Sequence, residues 1–104
     1  MQSNNSIVVH CPTDAELRKL GYYGTTWIFS KAESPRDVFV RYSTCSPTDQ
    51  FSKKNGRLLA FTSSPAFVAK SDLIRFVNHQ HPHNGRYILP TVEQLFQVVV
   101  KLSY

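Results

Sequence analysis

The chain has 104 residues, 41% of them hydrophobic, which is enough for one core and one domain over residues 1–104 and too little for a second. Lys and Arg outnumber Asp and Glu by 12 to 7, a formal net charge of +5, and no long run of Pro, Ser or charge suggests extended disorder. No apolar stretch is long enough to span a bilayer, and Met1-Gln-Ser-Asn-Asn-Ser6 lacks the basic-then-apolar layout of a secretory signal, so a cytoplasmic protein with no membrane partner is expected.

Ser6-Ile-Val-Val-His10 is a short β-branched run that predicts a first strand. Thr13-Asp-Ala-Glu16 has the form of a capping box, with Leu17 and Leu20 as the apolar face of a short helix and Gly21 as its stop. Thr25 to Phe29 and Asp37 to Tyr42 are rich in β-branched and aromatic residues and are separated by the polar turn Lys31 to Pro35. They predict an antiparallel hairpin, with Val38, Val40 and Tyr42 on one face of its second strand and Phe39 and Arg41 on the other.

Ser46-Pro47-Thr48-Asp49 combines a Ser N-cap, Pro at the first helical position and a carboxylate in the first turn. A helix from Pro47 to Phe61 follows, with Phe51, Asn55, Leu58, Leu59 and Thr62 on one side and Lys53, Lys54 and Arg57 together on another. Asn55-Gly56 offers an alternative, in which the helix stops and a strand runs over 57–61. The continuous helix is the reading adopted.

Ser64-Pro65 opens a further helical stretch with apolar positions Phe67, Leu73, Ile74 and Val77 and a break at Ser71-Asp72. His79 to Gly85 reads as an exposed loop, and Arg86-Tyr-Ile-Leu89 as a short last strand stopped by Pro90. Thr91-Val-Glu-Gln94 repeats the capping-box form, and Val92, Leu95, Phe96, Val99 and Leu102 recur at helical spacing. The C-terminal element is therefore an amphipathic helix, with a strand over 98–104 as the alternative that Val98-Val-Val100 leaves open. Phe51, Phe67 and Phe96 are assigned to the core, and Tyr22, Tyr23, Tyr87 and Tyr104 are the rings left to stack on a ligand. The pattern as a whole predicts an α+β fold, a small antiparallel sheet packed against two or three helices.

Three groups of residues could carry chemistry. His79, His81 and His83 cluster, and imidazole is a common zinc, nickel or copper ligand, but one alternating run with Pro82 inside and no carboxylate close by is not a zinc spacing. A polar surface loop is the reading, with no metal and no cofactor. Cys45 immediately precedes a helix start, where the dipole would stabilise a thiolate, yet no base is defined beside it; His10 or a loop histidine would have to supply one. Cys11 and Cys45 are read instead as small buried or half-buried free thiols, as expected in a reducing compartment. No Gly-rich phosphate loop, nucleophile elbow or paired-carboxylate signature is present, and no catalytic residue is assigned.

The third group is cationic. Residues 1–50 hold five bases and five acids, whereas from residue 51 onward Lys53, Lys54, Arg57, Lys70, Arg75, Arg86 and Lys101 face only Asp72 and Glu93. Such an asymmetry favours an acidic or polyanionic partner, because the summed field raises its local concentration. The candidate binding residues are Lys53, Lys54 and Arg57 on one helix face, extended by Lys70, Arg75, Arg86 and Tyr87. Bases on a helix beside aromatic rings are one way of holding single-stranded nucleic acid; a solvated basic face is the alternative.

Residues 42–60, Tyr42-Ser-Thr-Cys-Ser-Pro-Thr-Asp-Gln-Phe-Ser-Lys-Lys-Asn-Gly-Arg-Leu-Leu-Ala60, resemble a pattern in small, mostly uncharacterised phage-borne proteins: a strand ending in Cys-Ser-Pro, then Asp, Phe, a basic pair, Gly-Arg and Ala. The chain departs from that pattern after Ala60, where Phe61-Thr62 stands in place of a further Gly-Arg. The resemblance implies a phage or mobile-element origin and a continuous helix, and it transfers no activity. On that origin the expected function is a non-enzymatic interaction protein that binds and modulates a host protein, or a protein–nucleic-acid complex, of the defence or nucleic-acid-processing class in the host cytoplasm. Direct nucleic-acid binding through the basic helix face is the alternative. A small basic ribonuclease of toxin type with His79 or His81 as base ranks third, because no acid/base pair is defined.

Overall fold

The computed structural model describes residues 6–44, 53–79 and 86–102, with the side chain of Arg86 outside that set. In chain order the elements are β1 (Ser6–Cys11), α1 (Ala15–Lys19), β2 (Tyr22–Tyr23), β3 (Thr25–Lys31), β4 (Asp37–Thr44), α2 (Lys53–Thr62), β5 (Ala66–Ala69), a 3-10 turn (Lys70–Asp72), α3 (Leu73–Asn78), β6 (Arg86–Tyr87) and α4 (Val92–Lys101). Four strands form an antiparallel sheet in the order β1-β3-β4-β5, and β2 and β6 pair parallel as a small second sheet. The architecture is the α+β class that the sequence predicts.

Strand alternation decides what each face of the main sheet holds. The register sets Val9 opposite Trp27, Trp27 opposite Tyr42, and Phe29 opposite Val40, so these side chains share one face. Trp27, Phe29, Val38, Val40 and Val68 pack there against Leu73 and Val77 of α3, Leu95 and Val98 of α4 and Leu102 just beyond it. Sealing each such side chain contributes about 1.5–3 kcal/mol, which makes this face the main core. The hairpin β3–β4 is the one expected, with Val38 and Val40 buried on one face and Phe39 on the other.

The main core is tied to β6 through a polar chain inside it. The Trp27 indole Nε1 donates to Thr25 Oγ1 at 2.9 Å, and Thr25 Oγ1 donates in turn to the carbonyl of Ile88 at 2.5 Å. Ile88 N–H donates to the Tyr23 carbonyl at 2.9 Å, which extends the β2–β6 pairing. The Trp27 indole, the Thr25 hydroxyl and the Ile88 backbone groups thus each have a partner, the condition under which burying them costs little.

Several expectations are corrected. Asp14, not Thr13, caps α1, its carboxylate accepting from Leu17 N–H at 2.8 Å; Thr13 is buried and its hydroxyl finds no partner among the described residues. Leu20 is exposed rather than forming an apolar face, although Gly21 does end the helix with φ 86°. Ala66–Ala69 is a strand, not the start of a helix, because it pairs with Asp37–Val40 of β4; only Leu73 onward is helical. Phe67, 68% exposed, and Phe96, 58% exposed, lie outside the core. The core assignment of Phe51, the helix start at Ser46 to Asp49, Cys45, His81, His83 and Tyr104 fall outside the described residues.

Two local readings hold. Helix α2 runs unbroken through Asn55-Gly56. Helix α4 is a helix and not a strand as far as Lys101, opened by a full capping box in which Thr91 Oγ1 accepts from Gln94 N–H at 3.1 Å and the Gln94 side chain accepts from Thr91 N–H at 2.8 Å.

Candidate functional site

Helix α2 covers the second face of the sheet, and small residues let it approach. Gly56 lies against the side chain of Thr26 on β3, and its carbonyl accepts from Ser43 Oγ on β4 at 2.8 Å. Ala60, one helical turn on, is fully buried, as is Ile28 on the same face of β3. Residues four apart stack on one side of a helix, so Gly56 and Ala60 form the inward line. Small residues there bring the helix axis close to the sheet and leave the large side chains no room beneath.

The opposite side of α2 follows from the same geometry. Lys54, Arg57, Leu58 and Phe61, spaced by three, four and seven residues from the first, form one stripe. All four are exposed, Leu58 at 55% and Phe61 at 49%, and Leu59 is exposed beside them. Leu58 and Leu59 are expected on the side of Phe51, Asn55 and Thr62, apart from the cations; instead Leu58 shares the outward stripe with Lys54 and Arg57. A helix that anchors itself by glycine and alanine and displays leucine, phenylalanine and cations has its ordinary polarity reversed.

On the β1 flank of this helix sits His10. Its Nδ1 lies 3.2 Å from Thr26 Oγ1. Burial pushes the imidazole below its ordinary value, and the positive charges of Lys53 and Arg57 push it further down. The ring is therefore biased to the neutral form, and Lys53 and Arg57 together project positive potential over the β1 side of the stripe. His10 with Thr26 and Ser43 makes a polar seam beneath the cations. The Thr26 hydroxyl beside the imidazole belongs to a sealed side chain, out of reach of a substrate, and among the described residues no group of three His, Cys, Asp or Glu side chains is placed to hold a metal.

The other candidate binding residues stand elsewhere. Lys70 Nζ donates to the Leu102 carbonyl at 3.3 Å and so closes the C-terminal end of α4, on the core side of the sheet. Arg75 on α3 lines a groove beside β5 together with Phe67 and His79. Arg86 pairs through its backbone with Tyr22. Tyr87 is half-buried with its ring 5.5 Å from that of Tyr23, and it helps raise the Tyr42 phenol, whose main cause is burial. Tyr42 stacks on Trp27 at 4.5 Å. The structure thus brings Lys53, Lys54 and Arg57 together on one helix, and places Lys70, Arg75, Arg86 and Tyr87 on other elements. The sequence reading missed Leu58 and Phe61 as displayed residues. The signal for them is the spacing of Gly56 and Ala60, which marks the close-packed side and leaves the stripe opposite it.

No described helix is long and apolar enough to cross a membrane. Comparison of the chain with models of protein families, with curated proteins and with solved structures found no match.

Proposed function

We propose that the chain is a non-enzymatic interaction protein of phage type that binds and modulates a host protein, with the outward stripe of α2 as its contact surface. The observation that carries this reading is the exposure of Leu58 and Phe61 beside the cations Lys54 and Arg57. Apolar area held in water is unfavourable by about 25 cal/mol per Å². A partner with an apolar centre and an acidic rim removes that area from water and satisfies the cations together, the usual anatomy of a protein contact. A nucleic acid would meet the cations and could stack a base on Phe61, but it leaves Leu58 without a complement. The resemblance of residues 42–60 to phage-borne proteins supports a phage origin and transfers no activity; a host partner of the defence or nucleic-acid-processing class is the reading that goes with that origin.

Affinity capture from nuclease-treated bacterial lysate tests the proposal, with Leu58→Asp and the triple variant Lys53→Ala, Lys54→Ala, Arg57→Ala as controls. A protein that survives nuclease treatment and is lost with Leu58→Asp is the expected result. Capture that disappears with nuclease, or that persists unchanged in Leu58→Asp, contradicts it, and the first outcome selects direct nucleic-acid binding.

A further inference from the structure

The outer edge of the main sheet at β5 is built to accept another strand. Lys70 N–H donates to the Arg36 carbonyl at 2.8 Å, and the register continues as Asp37 opposite Ala69, Val38 opposite Val68, Phe39 opposite Phe67 and Val40 opposite Ala66. In an antiparallel pair, residues that exchange hydrogen bonds alternate with residues that do not. Starting from Arg36 and Lys70, the bonded residues of β5 are Val68 and Ala66. The N–H and C=O groups of Phe67 and Ala69 therefore point away from β4, out of the sheet.

Sheet edges in proteins are commonly guarded by a charge, a proline or a covering element. Here Pro65 guards only the start of the edge; within the strand the outward residues are Phe67 and Ala69, and Lys70, the nearest lysine, is turned onto the Leu102 carbonyl. Along this edge runs an open groove of about 340 Å³ lined by Phe67, Ala69, Asp72, Arg75, Phe76 and His79. Phe67 stands on its rim with its ring 4.3 Å from that of Phe39. Backbone groups waiting for partners beside a groove with apolar walls is the arrangement used for recognition by strand addition.

We infer that β5 binds an extended segment of a partner protein, added antiparallel or parallel to the sheet edge, with an acidic side chain of that segment directed at Arg75 and His79 and an apolar one seated against Phe67 and Phe76. The unpaired N–H and C=O groups specify an extended backbone. Charge specifies the rest: Asp72 offsets Arg75 within the lining, but the chain as a whole carries a net charge of +5, so two copies repel, whereas an acidic segment is attracted. Phe67 lies on the sheet face that α2 covers, but no residue of α2 lines this groove, and the inference does not depend on the partner proposed for that helix.

Ala69 supplies a variant that isolates the backbone contribution. Its φ is −65°, the angle that proline imposes, and its N–H points outward, so Ala69→Pro fits the strand and leaves the pairing with β4 intact while removing a donor from the free edge. The probe is a short fluorescein-labelled peptide alternating valine with glutamate, titrated into the full chain by anisotropy; its lysine counterpart serves as the control. Expected are saturable binding of the glutamate peptide, amide NMR shifts centred on Phe67 and Ala69, weaker binding of the lysine peptide, and a loss of about tenfold in Ala69→Pro, the equivalent of one hydrogen bond to a backbone group. Circular dichroism melting of Ala69→Pro matches the parent, and Leu58→Asp binds the peptide like the parent. The inference is overturned by no binding of the glutamate peptide, by equal binding in Ala69→Pro, by shifts that map to β1 or α2, or by a dimer of the free chain that Ala69→Pro abolishes, which would make the occupant a second copy.

Discussion

Gly56 of α2 rests directly on the hydroxyl and Cβ of Thr26 of β3, so closely that a methyl group on Gly56 would overlap the threonine side chain. Thr26 cannot step aside: it is sealed and β-branched, and its Oγ1 is engaged with His10. Two effects oppose each other in Gly56→Ala. Alanine favours the helix by about 1 kcal/mol over glycine, while overpacking a fixed contact typically costs about 1–3 kcal/mol. The steric effect wins, because the contact is with a stiff buried side chain rather than with the end of a flexible one. Urea unfolding should show Gly56→Ala less stable than the parent, and the double variant with Thr26→Ala less destabilised than the two single changes added together.

Thr25→Val removes the hydroxyl that joins Trp27 to Ile88 while keeping the shape of the side chain. The indole N–H and the Ile88 carbonyl are then both without their partner. Leaving a buried polar group unpaired costs about 1–3 kcal/mol. Denaturant unfolding should therefore place Thr25→Val at least about 1–3 kcal/mol below the parent, the cost of the buried indole N–H alone, and Thr25→Ser, which keeps the hydroxyl, closer to it. Amide exchange at Ile88 should rise in the valine variant, because the bond that seats this segment against β3 is gone.

His10 should titrate below the ordinary imidazole range, since burial and then Lys53 and Arg57 disfavour its charged form. In the window between the lowered folded value and the ordinary unfolded value, the unfolded chain binds more protons than the folded one, so stability rises with pH. His10 stabilises the fold fully above the ordinary imidazole value and loses that contribution as pH falls through the folded value. Proton NMR should show its titration midpoint move upward in Lys53→Ala or Arg57→Ala. Added salt should restore only part of the shift, because burial, the larger cause, is not screened. The loss of stability on acidification should be smaller in His10→Gln than in the parent.

What could be read in the sequence was what local spacing determines. The Thr91–Gln94 capping box, the β3–β4 hairpin with its alternating faces, and the continuity of α2 through Gly56 all depend on residues within a turn or two of one another. The errors arose where a distant partner decides. Ser64-Pro65 looks like a helix start, yet residues 66–69 are drawn into the sheet by β4, and pairing with a preformed strand outweighs a local capping preference. Phe67 and Phe96 carry core-like side chains at helical spacing, but spacing says which side a residue occupies and not whether another element covers that side. The reversed polarity of α2 has the same origin: Gly56 and Ala60 face the sheet, and that rotation of the helix, fixed by contact with the distant Thr26, turns Leu58 outward. Of the cationic site, only the grouping of Lys53, Lys54 and Arg57 was visible, because a shared helix brings them together; the remaining bases sit on elements whose placement depends on tertiary packing.

The most direct test of the α2 surface places a photo-crosslinking amino acid at position 61, within the stripe, and in a second variant at position 92, exposed on α4, with irradiation in bacterial cells followed by nuclease digestion. A discrete protein adduct that forms from position 61, resists nuclease and is absent from position 92 is the expected result. Adducts to nucleic acid, or the same adducts from both positions, would contradict it.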